Sequence, residues 1–99
     1  MENENFSVWP MSAPGFTLKP LHIQLAMCET QRSIQYGRLI HMQEKEPVGG
    51  GPEHVLWEKG MEVVQERFNQ LDRATTILRQ KKDEEDAIFQ DWHGHNLDR

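Results

Sequence analysis

The stretch GPEHVLWEKGMEVVQERFNQLDRATTIL, from Gly51 to Leu78, decides the fold. It opens with a breaker (Gly51), a residue whose missing N–H is unpaired in a first turn anyway (Pro52), and a carboxylate that complements the helix dipole (Glu53). Trp57, Met61, Val64, Phe68, Leu71, Thr75 and Leu78 then step by four and three without interruption. That is a heptad seam held for three repeats, the face of a helix that lies along another helix. Val63, Ala74 and Ile77 widen the apolar stripe beyond a strict seam. A helix over 52–80 spans about 43 Å.

Upstream, EKEPVGGGPEH breaks the chain. Pro47 cannot continue a helix, and Gly49, Gly50 and Gly51 supply a turn. Before the break a first helix is expected over about 18–44, entered through Thr17 as a cap and Pro20 in the first turn. Leu21, Leu25, Cys28, Arg32, Gln35, Leu39 and Met42 form its seam, while Ile23, Met27 and Ile34 mark a second apolar face beside it. Gly37 sits inside this helix at a cost of about 1 kcal/mol relative to alanine. The short loop, 45–51, makes the two helices antiparallel neighbours. The expected fold class is therefore all-α: an antiparallel two-helix hairpin over 17–80, an irregular aromatic N-terminal arm over 1–16, and a charged extension and tail over 81–99.

The ends carry apolar groups of their own. Phe6, Val8, Trp9 and Met11 lie in a segment broken by Pro10 and Pro14. Each large apolar group left in water forgoes about 1.5–3 kcal/mol, so the arm is expected to dock. QKKDEED, Gln80 to Asp86, is a solvated charge run, followed by Ile88, Phe89 and Trp92. The final HGHNLDR reads as a disordered tail. Two helices cover one another along one stripe only, which leaves apolar area for an interface. With 99 residues to build a core, a shared core in a homo-oligomer is the expected solution.

Composition narrows the chemistry. A net charge of −5 disfavours binding to a nucleic-acid polymer, which needs a positive surface to displace counterions. The single cysteine, Cys28, excludes an internal disulfide and a multi-thiolate metal site, and its helical setting points to burial. No apolar run is long enough to cross a membrane, and the acidic, proline-broken N-terminus is unlike a signal peptide, so a cytoplasmic protein is expected. His93 and His95 match no closed metal site. No catalytic constellation and no cofactor motif can be assembled, because a glycine run between two helices is a turn and not a phosphate loop. Phe16, Lys19 and His22, with Trp9 before them, read either as a hydrophobic staple at a helix entry or as a ring and cation able to hold a nucleotide.

Gly60, Val64-Gln65, Phe68, Leu71 and Arg73-Ala74, with Trp57 upstream, resemble the second hairpin helix of a family of small phage proteins that sequester cyclic nucleotides and so block CBASS and Thoeris-type immune signalling. Phe16, Leu18 and Leu25-Ala26-Met27 are loosely similar to that family's first helix. The similarity covers Phe16 to Ala74. The acidic charge, the long aromatic arm and the tail after Gln80 depart from the pattern. What the resemblance implies is an all-helical homo-oligomer that binds a cyclic nucleotide between subunits and catalyses nothing. Phe16 would then stack on the base, Lys19 meet a phosphate, and Arg73 hold the anion on the second helix. The alternative is a small interaction module (an inhibitor, adaptor or secretion chaperone) that docks a partner protein. Its interface would be drawn from Trp9, Trp57, Met61, Val64, Phe68, Leu71, Phe89 and Trp92.

Overall fold

The computed structural model describes residues 6–97, and of residues 91–97 the backbone only. Two helices dominate it: α1, Leu21–Glu44, and α2, Pro52–Leu97. No strand occurs among the described residues.

The helices begin and end where backbone chemistry requires. Phe16–Leu18 forms one 3-10 turn, and Gly15 before it has φ 80, a left-handed conformation that glycine adopts without strain. Pro20 then stands at the N-cap of α1, with its carbonyl accepting the amides of Ile23 and Gln24 at 3.0 Å. Thr17, expected as the cap, lies in the 3-10 turn and caps nothing; α1 starts at Leu21, not near residue 18. At its other end the Lys45 amide closes on the Met42 carbonyl at 3.1 Å, and Gly49, with φ 93, turns the chain.

α1 and α2 pack antiparallel. Trp57 Nε1–H donates to the Met42 carbonyl at 2.7 Å near the turn, the Tyr36 and Phe68 rings lie 6.0 Å apart, Arg32 pairs with Asp72 at 3.1 Å, and Arg79 pairs with Glu29. Numbers rise on one helix as they fall on the other. Gly60 marks the closest approach, since a Cβ there would meet the Met42 Cε at 3.1 Å. The seam is the expected one: Cys28 and Leu39 of α1, and Val64, Leu71, Ala74 and Leu78 of α2, are all buried. Full burial of Leu71 contributes on the order of 1.5–3 kcal/mol.

Two expectations for the ends differ from the structure. α2 does not stop near residue 80. It runs on to Leu97, so the charge run is helical and the HGHNL segment lies within the helix backbone. Local pairing supports this, because Lys82 and Asp86, four apart, bond at 2.9 Å. At 46 residues α2 accounts for the 72 Å length of a molecule only 26 by 17 Å across. α1 matches about half of it, so the C-terminal part of α2 overhangs the hairpin.

The described part of the arm folds back on its own chain. Phe16 enters the core beside Cys28, Leu71, Ala74 and Leu78, with Phe6, Val8 and Met11 packed against the same cluster. Pro10 is fully buried.

Candidate functional site

The arm crosses the hairpin and creates a groove with it. Its course is fixed by a small polar clasp: the Ser7 amide donates to Gln70 Oε1 at 2.9 Å, and Gln70 Nε2–H donates to Ser7 Oγ at 3.1 Å and to Glu66 Oε2 at 2.9 Å. The far end of the arm is tied down by buried Gln24, whose Nε2–H donates to the Lys19 carbonyl at 2.7 Å. Between these anchors the chain turns at Trp9, which stays about half exposed.

The resulting groove has a volume of about 660 Å³ and is open to solvent. α1 supplies Gln31 and Gln35, α2 supplies Val63, Glu66 and Arg67, and Trp9 closes one side. Its lining mixes one ring, one aliphatic group, both signs of charge and carboxamides. Gln35 is only 5% exposed, and its Oε1 is sealed from water without a hydrogen-bond partner. An unmet buried acceptor of this kind costs on the order of 1–3 kcal/mol. A second, apolar groove of about 350 Å³ lies on the other side of Trp9, against Ile23, Ala26, Met27 and Thr30 of α1.

The residues expected to hold a nucleotide are not brought together as a surface. Phe16 is 5% exposed inside the core cluster, so neither of its faces is open to a base. Lys19 is exposed at the entry to α1. Arg73 stands on the outer side of α2, its guanidinium 6.0 Å from the Phe6 ring. Of the two readings of the Phe16 cluster, the packing one describes the observed burial.

The residues expected at a partner interface divide into three groups. Val64 and Leu71 are buried between α1 and α2, and Trp57, Met61 and Phe68 are half-buried along the same seam, so the hairpin itself uses them. The physical reason is that α1 and the arm together cover the wide α2 stripe. Trp9 and Phe89 remain half exposed. Trp92, like His93 and His95, has a side chain outside the described residues.

Other reactive groups are quiet or structural. Cys28 is fully buried, and burial, aided by Glu29, pushes its thiol up to about 11, so it is neutral and sealed at neutral pH. His54 bridges the turn: its Nε2 meets Glu46 at 3.0 Å and its Nδ1 meets Glu58 at 2.9 Å. The hydrogen bond from Glu46, seconded by Glu58, holds its pKa above the usual histidine value. Among the described residues no cluster of three or more His, Cys, Asp or Glu side chains could hold a metal ion, and no helix is long and apolar enough to cross a membrane.

Sequence reasoning placed Gln35 on the seam and noted Gln70 four residues from Glu66, but it did not find the groove. Its only signal was three carboxamides, Gln31, Gln35 and Gln70, on faces that otherwise pack apolar side chains. No family model, curated protein or solved structure matches the chain.

Proposed function

We propose that the protein is a non-catalytic cytoplasmic interaction module that docks a segment of a partner protein in the groove between the N-terminal arm, α1 and α2. The observation that carries this reading is the Gln35 carboxamide: a groove-lining side chain, almost fully buried, with an acceptor that nothing in the chain satisfies. A polypeptide supplies what that acceptor lacks, since a main-chain or side-chain N–H entering beside Trp9 can donate to it. The neighbouring groups suit the same occupant. Trp9 and Val63 offer contact area to an apolar side chain, and Arg67 and Glu66 offer charge pairing at the rim.

The sequestration of a cyclic nucleotide, which the family resemblance implies, needs an exposed ring and a cation on one surface. Buried Phe16 does not provide the ring within one chain. The interaction reading therefore stands first, and the nucleotide reading is an outcome of its test.

A photo-crosslinking residue placed at Val63, inside the groove, is compared with one at Thr76, on the solvent face of α2. The expected result is a discrete adduct from Val63 that is absent from Thr76 and lost when Trp9→Ala is added. Equal adducts from both positions, or an adduct indifferent to Trp9→Ala, would sink the reading. A melting temperature raised by a cyclic dinucleotide, and restored by Arg73→Ala, would replace it with the nucleotide function, because a ligand that binds only the folded state raises stability.

A further inference from the structure

The two helices treat their outer faces differently. The outer face of α2 carries Glu58, Glu62, Glu66 and Arg73, as a solvated helix should. The outer face of α1 carries no Lys, Arg, Asp or Glu from Leu21 to His41, in a chain that is 27% charged. Down its middle run small side chains at steps of four, three and four: Ala26, Thr30, Ser33 and Gly37, all exposed. Ile23 and Ile34 flank this row on one side and Ile40 on the other, each about 40% exposed. Glu29 and Arg38 stand at its two edges.

Gly37 is the sharpest of these observations. A glycine inside a helix weakens it by about 1 kcal/mol relative to alanine, and close packing is the usual return. Within this chain nothing lies within 4 Å of where its Cβ would be. The hairpin has no use for a glycine there; a second backbone approaching from outside does.

We propose that the outer face of α1 is the surface on which a second copy of this chain docks, antiparallel, about a two-fold axis near Thr30 and Gln31. Charge selects this occupant. Each copy is net −5, and this face lets two such copies meet without apposing like charges, whereas the acidic run at Asp83–Asp86 does not. Shape selects it as well. A two-fold at that point sets Ile34 of each copy opposite Met27 of the other, at the groove bounded by Trp9, Ile23 and Thr30. The same operation sets Gly37 opposite the level of Ile23 and Gln24, so the bulky end of the face meets the end that lacks side chains. An isologous contact of this type closes at two copies.

The contact is about 30 Å long and one helix wide, smaller than the roughly 800 Å² per partner of a standard stable interface, so the dimer is weak and concentration-dependent. It shares Trp9 and Gln31 with the partner groove but stands on different residues.

Sedimentation equilibrium of the full chain between about 1 µM and about 1 mM brackets the affinities such an interface reaches. The wild type is expected to pass from monomer to dimer. Ile34→Glu and Gly37→Leu should each raise the dimer Kd at least about tenfold, roughly what one misplaced charge or side chain in a small contact costs. Circular dichroism should stay that of the folded hairpin, since both positions face away from the seam and leucine favours a helix more than glycine. Ile88→Glu, on the overhang, should leave the Kd unchanged. The proposal is overturned by a wild type that is monomeric throughout or forms a larger closed assembly. It is equally overturned by a dimer that both α1 variants leave intact, or by one that Ile88→Glu dissolves.

Discussion

Thr75→Val should stabilise the protein. Thr75 is fully buried in the α1–α2 seam, and its hydroxyl has no hydrogen-bond partner there. Valine has nearly the same shape, the same β-branching and a similar helix propensity, so backbone and packing are left almost unchanged. What changes is the buried oxygen. Removing an unmet polar group recovers on the order of 1–3 kcal/mol, and the methyl that takes its place adds a buried apolar group. A net gain of about 1–3 kcal/mol corresponds to a rise in Tm of roughly 4–8 °C per kcal/mol for a domain of this size. The adjacent threonine is an internal control. Thr76 is exposed and donates its hydroxyl to the Asp72 carbonyl at 2.9 Å, so Thr76→Val should shift stability by no more than about 0.5 kcal/mol. Urea unfolding followed by circular dichroism, at one fixed protein concentration, measures both. A Thr75→Val protein less stable than wild type would refute the reasoning, because it would mean that the hydroxyl finds a partner after all.

Leu71→Ala, at the centre of the seam, should cost about 2–5 kcal/mol in urea unfolding, while Val63→Ala, half exposed, stays within about 1 kcal/mol. His54 should titrate above its ordinary value in an NMR pH series. Its folded pKa is raised, so its contribution to the turn is complete below pH about 6.5 and fades as pH rises through the folded value. His54→Gln should flatten that dependence in the exchange rates of the turn amides; a midpoint at or below the ordinary value would contradict the bridge to Glu46 and Glu58. Cys28 should resist a thiol reagent in the native protein at neutral pH and react at once in denaturant. By the same linkage, stability should fall as pH climbs from 9 towards about 11, the range over which the unfolded thiol ionises and the folded one does not.

The hairpin was legible because its signal is periodic. Trp57 to Leu78 repeats one spacing for three heptads, Pro47 and three glycines break the chain, and a break that short leaves only an antiparallel return. The entry to α1 was less legible, because Thr17 has the chemistry of a cap but Gly15 and Pro20 set the backbone, and they place it in a separate turn. The extent of α2 was hidden by composition: a dense charge run reads equally as a frayed end or as a helix held by pairs such as Lys82–Asp86. The groove could not be read at all. It exists because Ser7 clasps Gln70, sixty-three residues away, and no local pattern announces a contact over that separation. The same distance hid the fate of Phe16, whose neighbours in sequence are polar and whose neighbours in space are Leu71, Ala74 and Leu78.

The mismatch in length between the two helices has a kinetic consequence. α2 is one unbroken helix, yet only its first part is held by α1 and the arm. Past about Lys82 every described side chain to Gln90 is exposed. An isolated helical segment of that length is marginal in water, and its ends open and close far faster than the domain unfolds. Amide exchange along α2 should therefore form a ramp rather than a plateau: slow near Leu71, where opening requires global unfolding, and steadily faster through Glu84 to Gln90. Limited trypsin digestion should report the same ramp, cutting at Lys81 and Lys82 well before Arg67 or Arg73. A binding partner that seized the overhang would be read at once as a step in that ramp.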